Sequence, residues 1–241
     1  MKDHAAPAAL KSHLEFLARL RGANVPAPAR LAEVKRWQQA RLASAYADLA
    51  ADERYARATA FFLGQLYGPK DFSGRDAQML RIYPAMVRIL PASAVETAAL
   101  AIEVDALSED LDRRLAAAIE PGPIDWDSYA RAYRASSTLA ERERQIGLID
   151  AVGRRLDRLV RKPMLLSTLK LMRRPARIAG LEGLQHFLEE GFDSFRHMDG
   201  AGDFLRAIAE RESALARRLF SGEPFSPSPP LSAPGTSPRP A

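Results

Sequence analysis

Apolar residues recur along this chain at intervals of three and four. Tyr55, Thr59, Phe62 and Leu66 form one such series; Met79, Tyr83, Met86 and Leu90 form a second; Leu100, Val104, Leu107, Leu111 and Leu115 form a third. On a helix of about 3.6 residues per turn each series lies on one face and is buried as one stripe. The spacing returns at Ile149, Val152, Leu156 and Leu159, then at Leu181, Leu184, Leu188, Phe192 and Phe195, and again at Phe204, Ile208, Leu215 and Leu219. No comparable run alternates with the period of two that a half-buried strand requires. The pattern predicts an all-α protein, a single compact bundle of about eight to ten helices. The predicted domain covers residues 8–222, after a flexible N-terminus at 1–7.

Local punctuation marks where these helices begin and end. A hydroxyl residue followed three positions later by an acid caps a helix start, because the hydroxyl accepts an early backbone N–H while the acid faces the positive end of the helix dipole. Ser73 with Asp76, Ser93 with Glu96, and Thr138 with Glu141 have this form, and Asp125 before Trp126 marks another start. Stops are expected at Gly68-Pro69, Leu90-Pro91, Pro121-Gly122-Pro123 and Lys162-Pro163, since proline cannot donate to the preceding turn. Pro84 falls inside the second apolar series and predicts a kink or break near Tyr83.

The stretch FFLGQLYGPKDFSGRD, residues 61–76, reads as a helix ending at Tyr67-Gly68-Pro69, a short turn, and a restart at Ser73 with Phe72 packing inward. Tyr67, Lys70, Asp71 and Arg75 also make it a candidate ligand turn. Punctuation between helices is the simpler reading, because Gly, Pro and capping residues end helices far more often than they form sites.

Composition narrows the chemistry. The 241 residues are 47% hydrophobic and 27% charged, as in ordinary globular proteins, and contain no cysteine. Disulfides, thiolate nucleophiles and cysteine-ligated metals are therefore excluded, and a reducing, cytoplasmic compartment is expected. Charges interrupt the N-terminal twenty residues, and no apolar stretch reaches the roughly 18 residues of a membrane span, so neither a secretory signal nor a transmembrane segment is expected. Beyond Gly222, EPFSPSPPLSAPGTSPRPA holds seven prolines and few large apolar residues, so residues 223–241 are expected to form a disordered, Pro-rich tail that is either solvated or docked in an aromatic groove of a partner.

No phosphate-binding glycine loop, GxGxxG, GxSxG elbow or HExxH is present, which leans away from an enzyme; no catalytic residue and no cofactor are assigned. Glu182, His186, Glu190, Asp193 and His197 are spaced to share one helix face and so form a weak metal candidate, chiefly Glu182, His186 and Glu190. A helical di-iron site uses Glu-x-x-His on two helices, whereas here Glu-x-x-x-His stands on one, and a solvated face is the simpler account. Trp37 and Trp126 read as core or interface anchors.

Charge is distributed unevenly. From Gly153 to Ile178 stand Arg154, Arg155, Arg158, Arg161, Lys162, Lys170, Arg173, Arg174 and Arg177 against the single acid Asp157, a net +8 in a chain whose total is +5. Such a segment can contact nucleic-acid phosphates, or lie on an anionic membrane with Met164, Leu165, Leu166, Leu169 and Leu171 toward the lipid. It holds no aromatic residue to stack on bases. Glu103, Asp105, Glu109, Asp110 and Asp112 form an acidic run with no intervening base, so the basic segment is alternatively expected to pair with that helix in the same fold or in a second copy. Small anionic ligands are a third possibility.

The blocks FFLGQLYGPKDFSGRD, RIYPAMVRILP, ALSEDLD, RRPARIAGLEGLQHFLEEGF, FRHM and FLRAIAERE together resemble an uncharacterised family of bacterial, mainly proteobacterial, all-helical proteins over about residues 54–222. The resemblance implies an all-α cytoplasmic protein, with no catalytic residue, cofactor or partner to carry over. The expected function is a non-enzymatic helical interaction or regulatory module, working through a protein partner or self-association. The alternatives are an anion binder acting through residues 154–177 on nucleic acid or a membrane surface, and a small-ligand or metal-binding helical protein.

Overall fold

The computed structural model describes residues 5–22, 25–68 and 73–222. Among them the chain forms helices α1 (Ala5–Arg21), α2 (Leu31–Ala45), α3 (Ala47–Ala51), α4 (Ala56–Phe61), α5 (Ser73–Ile89), α6 (Ala92–Ala118), α7 (Trp126–Ser136), α8 (Leu139–Val160), α9 (Pro163–Ile178), α10 (Glu182–His197) and α11 (Gly202–Ser221), and no strand. The chain is all-α, as its periodicity predicts. The count exceeds the expected one partly because α3 and α4 are pieces of one or two turns, five and six residues long. The predicted tail at 223–241 lies outside the described residues.

The 27-residue α6 is the longest helix and the spine of the bundle, packed by α1, α2, α7 and α8. The apolar core forms three clusters, two of them on α6. In α1, Leu10, Leu14 and Leu17 sit at i, i+4 and i+7, are wholly buried, and meet Val95, Ala99, Ile102 and Ala106 of α6. Near the other end of α6, Leu115 and Ile119 join Val34, Tyr129, Tyr133 and Leu219, with Trp37 stacked on Tyr129 at 4.3 Å and edge-on to Trp126 at 4.9 Å. The tryptophans are core anchors, as expected. The third cluster joins Phe195, Met198, Phe204 and Leu205 to Tyr46, Ala58 and Val160.

The predicted caps divide. Thr138 and Glu141 form a reciprocal capping box at α8, and Asp125 forms one with Ser128 at α7. Ser93 is not a cap: α6 starts one residue earlier behind Pro91, and the Ser93 carbonyl instead accepts the Thr97 hydroxyl at 2.7 Å. Helix α1 has Pro7 in its first described turn, where a missing N–H costs nothing. Pro84 does not break α5, which runs continuously from Ser73 to Ile89; Pro84 is exposed, so water can serve the carbonyl it leaves without a donor.

Candidate functional site

The aromatic stretch at 61–67 does not end as a plain α-helix. Phe62–Leu66 is a π-helical turn, with the Tyr67 N–H bonded to the Phe62 carbonyl at 3.2 Å. Gln39 Nε2 serves the Leu63 carbonyl at 2.6 Å, and Gly68, at φ 132°, passes so close to Gln39 that a Cβ there would stand 2.8 Å from Nε2. The wider turn aims Tyr67 inward. Its hydroxyl lies 2.8 Å from Gln38 Oε1 and 3.0 Å from Asp112 Oδ2.

Asp112 belongs to a buried polar seam. Asp105, Glu109 and Asp112 share one face of α6. Arg21, at the end of α1, donates from Nε to Glu109 at 3.1 Å and from Nη1 to Asp76 at 2.9 Å, and grips Asp105 with both Nη atoms. Lys35 reaches Glu109 at 2.7 Å, and Arg75 reaches Asp105 at 3.3 Å while lying over the Phe187 ring. Burial opposes the Arg21 charge, but Asp105, Asp76 and Glu109 outweigh it and raise its pKa above the ordinary guanidinium value. Burial raises Asp76 and Asp112 above the usual carboxyl range despite the neighbouring cations, and it raises the Tyr67 phenol, with the Asp112 charge adding to the effect. Tyr67 is thus held as a hydrogen-bond donor.

The candidate ligand turn is therefore divided. Tyr67 and Arg75 both reach the acidic face of α6, where their polar groups serve the fold, while Lys70 and Asp71 lie outside the described residues. Of the expected pairing between the basic segment and the acidic helix, the structure shows one contact, Arg155 with Glu96 on α6, while the acidic run itself has other partners. The acidic run is matched by Arg21, Lys35, Arg75, Arg114 and Arg144, because α6 is flanked by α1, α2, α5, α7 and α8, whereas α9 packs on α10 and α8. The readable signal was the 105, 109, 112 spacing, which places three acids on one face.

The basic segment has other, more local partners. Arg154 pairs with Asp150, Arg155 with Glu96, Arg161 with Asp157 at 3.4 Å, Arg173 with Glu189, and Arg177 with Glu182; Lys162 Nζ is 3.4 Å from the Ser93 hydroxyl. Arg158, Lys170 and Arg174 make no ion pair among the described residues. Helix α9 carries only one buried residue, Ala176. Leu165, Leu166 and Leu169 are half-buried, but Met164, Leu171 and Ile178, seven residues apart in succession, are 82%, 77% and 80% exposed, with Met172 also exposed. At about 100° per residue these three form a single outward line through Thr168 and Pro175, with Lys170, Arg174 and Arg177 along one edge. Thus only part of the apolar set anticipated for a membrane face points outward: Met164 and Leu171, joined by Ile178.

The histidine face does not gather a ligand set. Glu182 is engaged by Arg177, Glu190 accepts from Gln65 at 3.1 Å, and His186 is 76% exposed and 3.7 Å from Glu190. No group of three metal-ligating side chains converges among the described residues. Leu188, expected on the buried side, is 44% exposed.

No described helix is long and apolar enough to cross a membrane. Residues 18–226 match the model of a family described as a domain of unknown function (DUF8198), and the chain belongs to that family. No curated protein and no solved structure matches it.

Proposed function

We propose that this family member is a peripheral docking module that lays α9 on an anionic lipid surface, with the apolar line in the lipid and the basic edge at the head groups. The observation that carries this reading is the exposure of Met164, Leu171 and Ile178 along one line of a helix edged by Lys170, Arg174 and Arg177. Large apolar side chains clustered at the surface, rimmed by charge, mark a face that is covered in use. Amphipathic helices of this kind lie in the membrane interface without spanning it, held reversibly by apolar burial and by attraction of Lys and Arg to anionic lipid.

Two other occupants fit less well. Nucleic acid would have to accommodate three protruding apolar side chains among the cations, with no aromatic group between 153 and 178 to stack on bases. A stable protein interface buries roughly 800 Å² per partner, more than one narrow line on one helix supplies. The interaction module expected from the sequence thus takes a specific form: a bacterial cytoplasmic protein that meets the inner leaflet.

Cosedimentation with vesicles tests the proposal. Full-length protein should bind phosphatidylcholine vesicles containing phosphatidylglycerol and should leave pure phosphatidylcholine vesicles unbound. Binding should weaken as salt rises and disappear in the Met164→Ser/Leu171→Ser/Ile178→Ser variant. Equal sedimentation of that variant, or binding of nucleic acid with none to vesicles, would overturn it.

A further inference from the structure

The last turn of α8, the start of α9, the end of α10 and the turn before α11 form a half-open cavity of about 520 Å³, within the size range of small-molecule sites. Its apolar wall includes Val160, Leu166 and Phe195, the last only 1% exposed. Arg161 and Arg196 line it as well. Arg161 has one long 3.4 Å bond to Asp157 Oδ2, whose other oxygen is occupied by the Ala201 N–H at 3.1 Å, and Arg196 makes no ion pair among the described residues.

The wall formed by the turn is fixed in shape. Asp199 is the one non-glycine residue with positive φ among those described, at 46°, and Gly200 follows at 116°. Arg54 holds the turn from behind, donating to the carbonyl of Met198 at 2.6 Å and to that of Gly200 at 3.0 Å. A backbone held in the left-handed region by surrounding bonds is a recurrent feature of ligand clamps. Sequence reading marked Arg161 only as part of a basic run and gave no signal for Arg196 or Asp199.

We infer that this cavity binds an amphiphilic monocarboxylate, its carboxylate between Arg161 and Arg196 and its hydrocarbon body against Val160, Leu166 and Phe195. Guanidinium groups bind carboxylates through charge-assisted hydrogen bonds, and the apolar wall gives a short chain a surface to bury against. Asp157 and Asp199 line the same site, so its formal charges balance, which disfavours a phosphate dianion more than a monoanion; Asp157 pairs with Arg161, and Arg196 is the lining cation with no ion pair among the described residues to receive a carboxylate. This site is separate from the outward line of α9 and does not depend on membrane docking.

The test is a titration of the full-length protein with sodium octanoate, followed by amide and methyl NMR. Shift changes should concentrate at residues 157–167 and 195–200, and octylammonium and inorganic phosphate should not reproduce them. The exposed-side substitutions Arg161→Ala and Arg196→Ala together should weaken octanoate binding at least tenfold, and Ser167→Trp, which fills the cavity from its rim, should do the same. The Met164→Ser/Leu171→Ser/Ile178→Ser variant should bind octanoate as the natural chain does, so the failure of docking and the failure of this site are distinguishable. Shift changes elsewhere, octylammonium binding at the same residues, or affinity unchanged within twofold in both the double-alanine and Ser167→Trp proteins would overturn the assignment.

Discussion

The hydroxyl of Tyr67 lies 3.0 Å from Asp112 Oδ2, joining the π-helical turn to the central helix across 45 positions of sequence. With Gln38 as the third member, it satisfies a buried carboxylate at the point where the chain leaves the aromatic stretch. Tyr67→Phe removes the donor and keeps the ring, so it should lower unfolding free energy by about 1–3 kcal/mol, the cost of leaving a buried polar group short of a partner. Urea unfolding followed by circular dichroism measures this, and an unchanged midpoint would show that the bond contributes nothing.

Arg21 bonds three separate carboxylates in the seam, Asp76, Asp105 and Glu109. Truncation leaves those charges buried against fewer cations. Arg21→Ala should therefore destabilise by about 3–5 kcal/mol, as breaking a buried ion pair does. The loss should shrink when Asp76→Asn is added, because one of the stranded charges is then removed. Additive losses in that double-mutant cycle would argue against coupling.

Gly153 lets α8 approach α11 closely. A Cβ there would stand 2.3 Å from Leu205 Cδ2, and Leu205 is itself buried. Gly153→Ala should cost about 1–3 kcal/mol through overpacking, even though alanine is the better helix former. Thermal unfolding of the single variant decides the sign.

Glu141 should supply part of the acid sensitivity. The Arg114 guanidinium and the capping bonds to Thr138 pull its carboxyl down to about 2. A folded pKa below the unfolded value means that its stabilisation is present above the ordinary carboxyl range and is lost as pH falls from about 4.5 toward about 2. The stability difference between the natural chain and Glu141→Gln should close across that window. Asp76 and Asp112, whose pKa values are raised by burial, act with the opposite sign and favour the fold as pH falls through their range. A constant difference across the window would contradict the assignment to Glu141.

Much of this fold was legible because its signals are local. The stripe carrying Leu111 and Leu115, the Thr138–Glu141 box and the Asp125 cap each need only neighbours within a turn or two. The misses depend on distant contacts. Asp76 reads as a dipole-facing acid by spacing, yet Arg21, 55 positions away, draws it inward. Ser93 is a local exception: it has the capping pattern, but Pro91 two residues before it starts the helix first. The π-helical turn depends on Gln39, on another helix, to serve its freed carbonyl. For the candidate docking face, the basic character of 154–177 was readable, but which apolar residues of α9 face outward depends on how α10 and α8 cover it.

The most direct test of the docking account uses the absence of cysteine. A single Leu171→Cys protein carries an environment-sensitive fluorophore at the centre of the exposed line, and an Arg206→Cys protein carries it on α11. With phosphatidylglycerol-containing vesicles, emission from position 171 should shift to the blue and become quenchable by brominated lipid, while that from position 206 should stay unchanged. Sedimentation with vesicles but no shift at 171, or equal shifts at the two positions, would contradict insertion of α9.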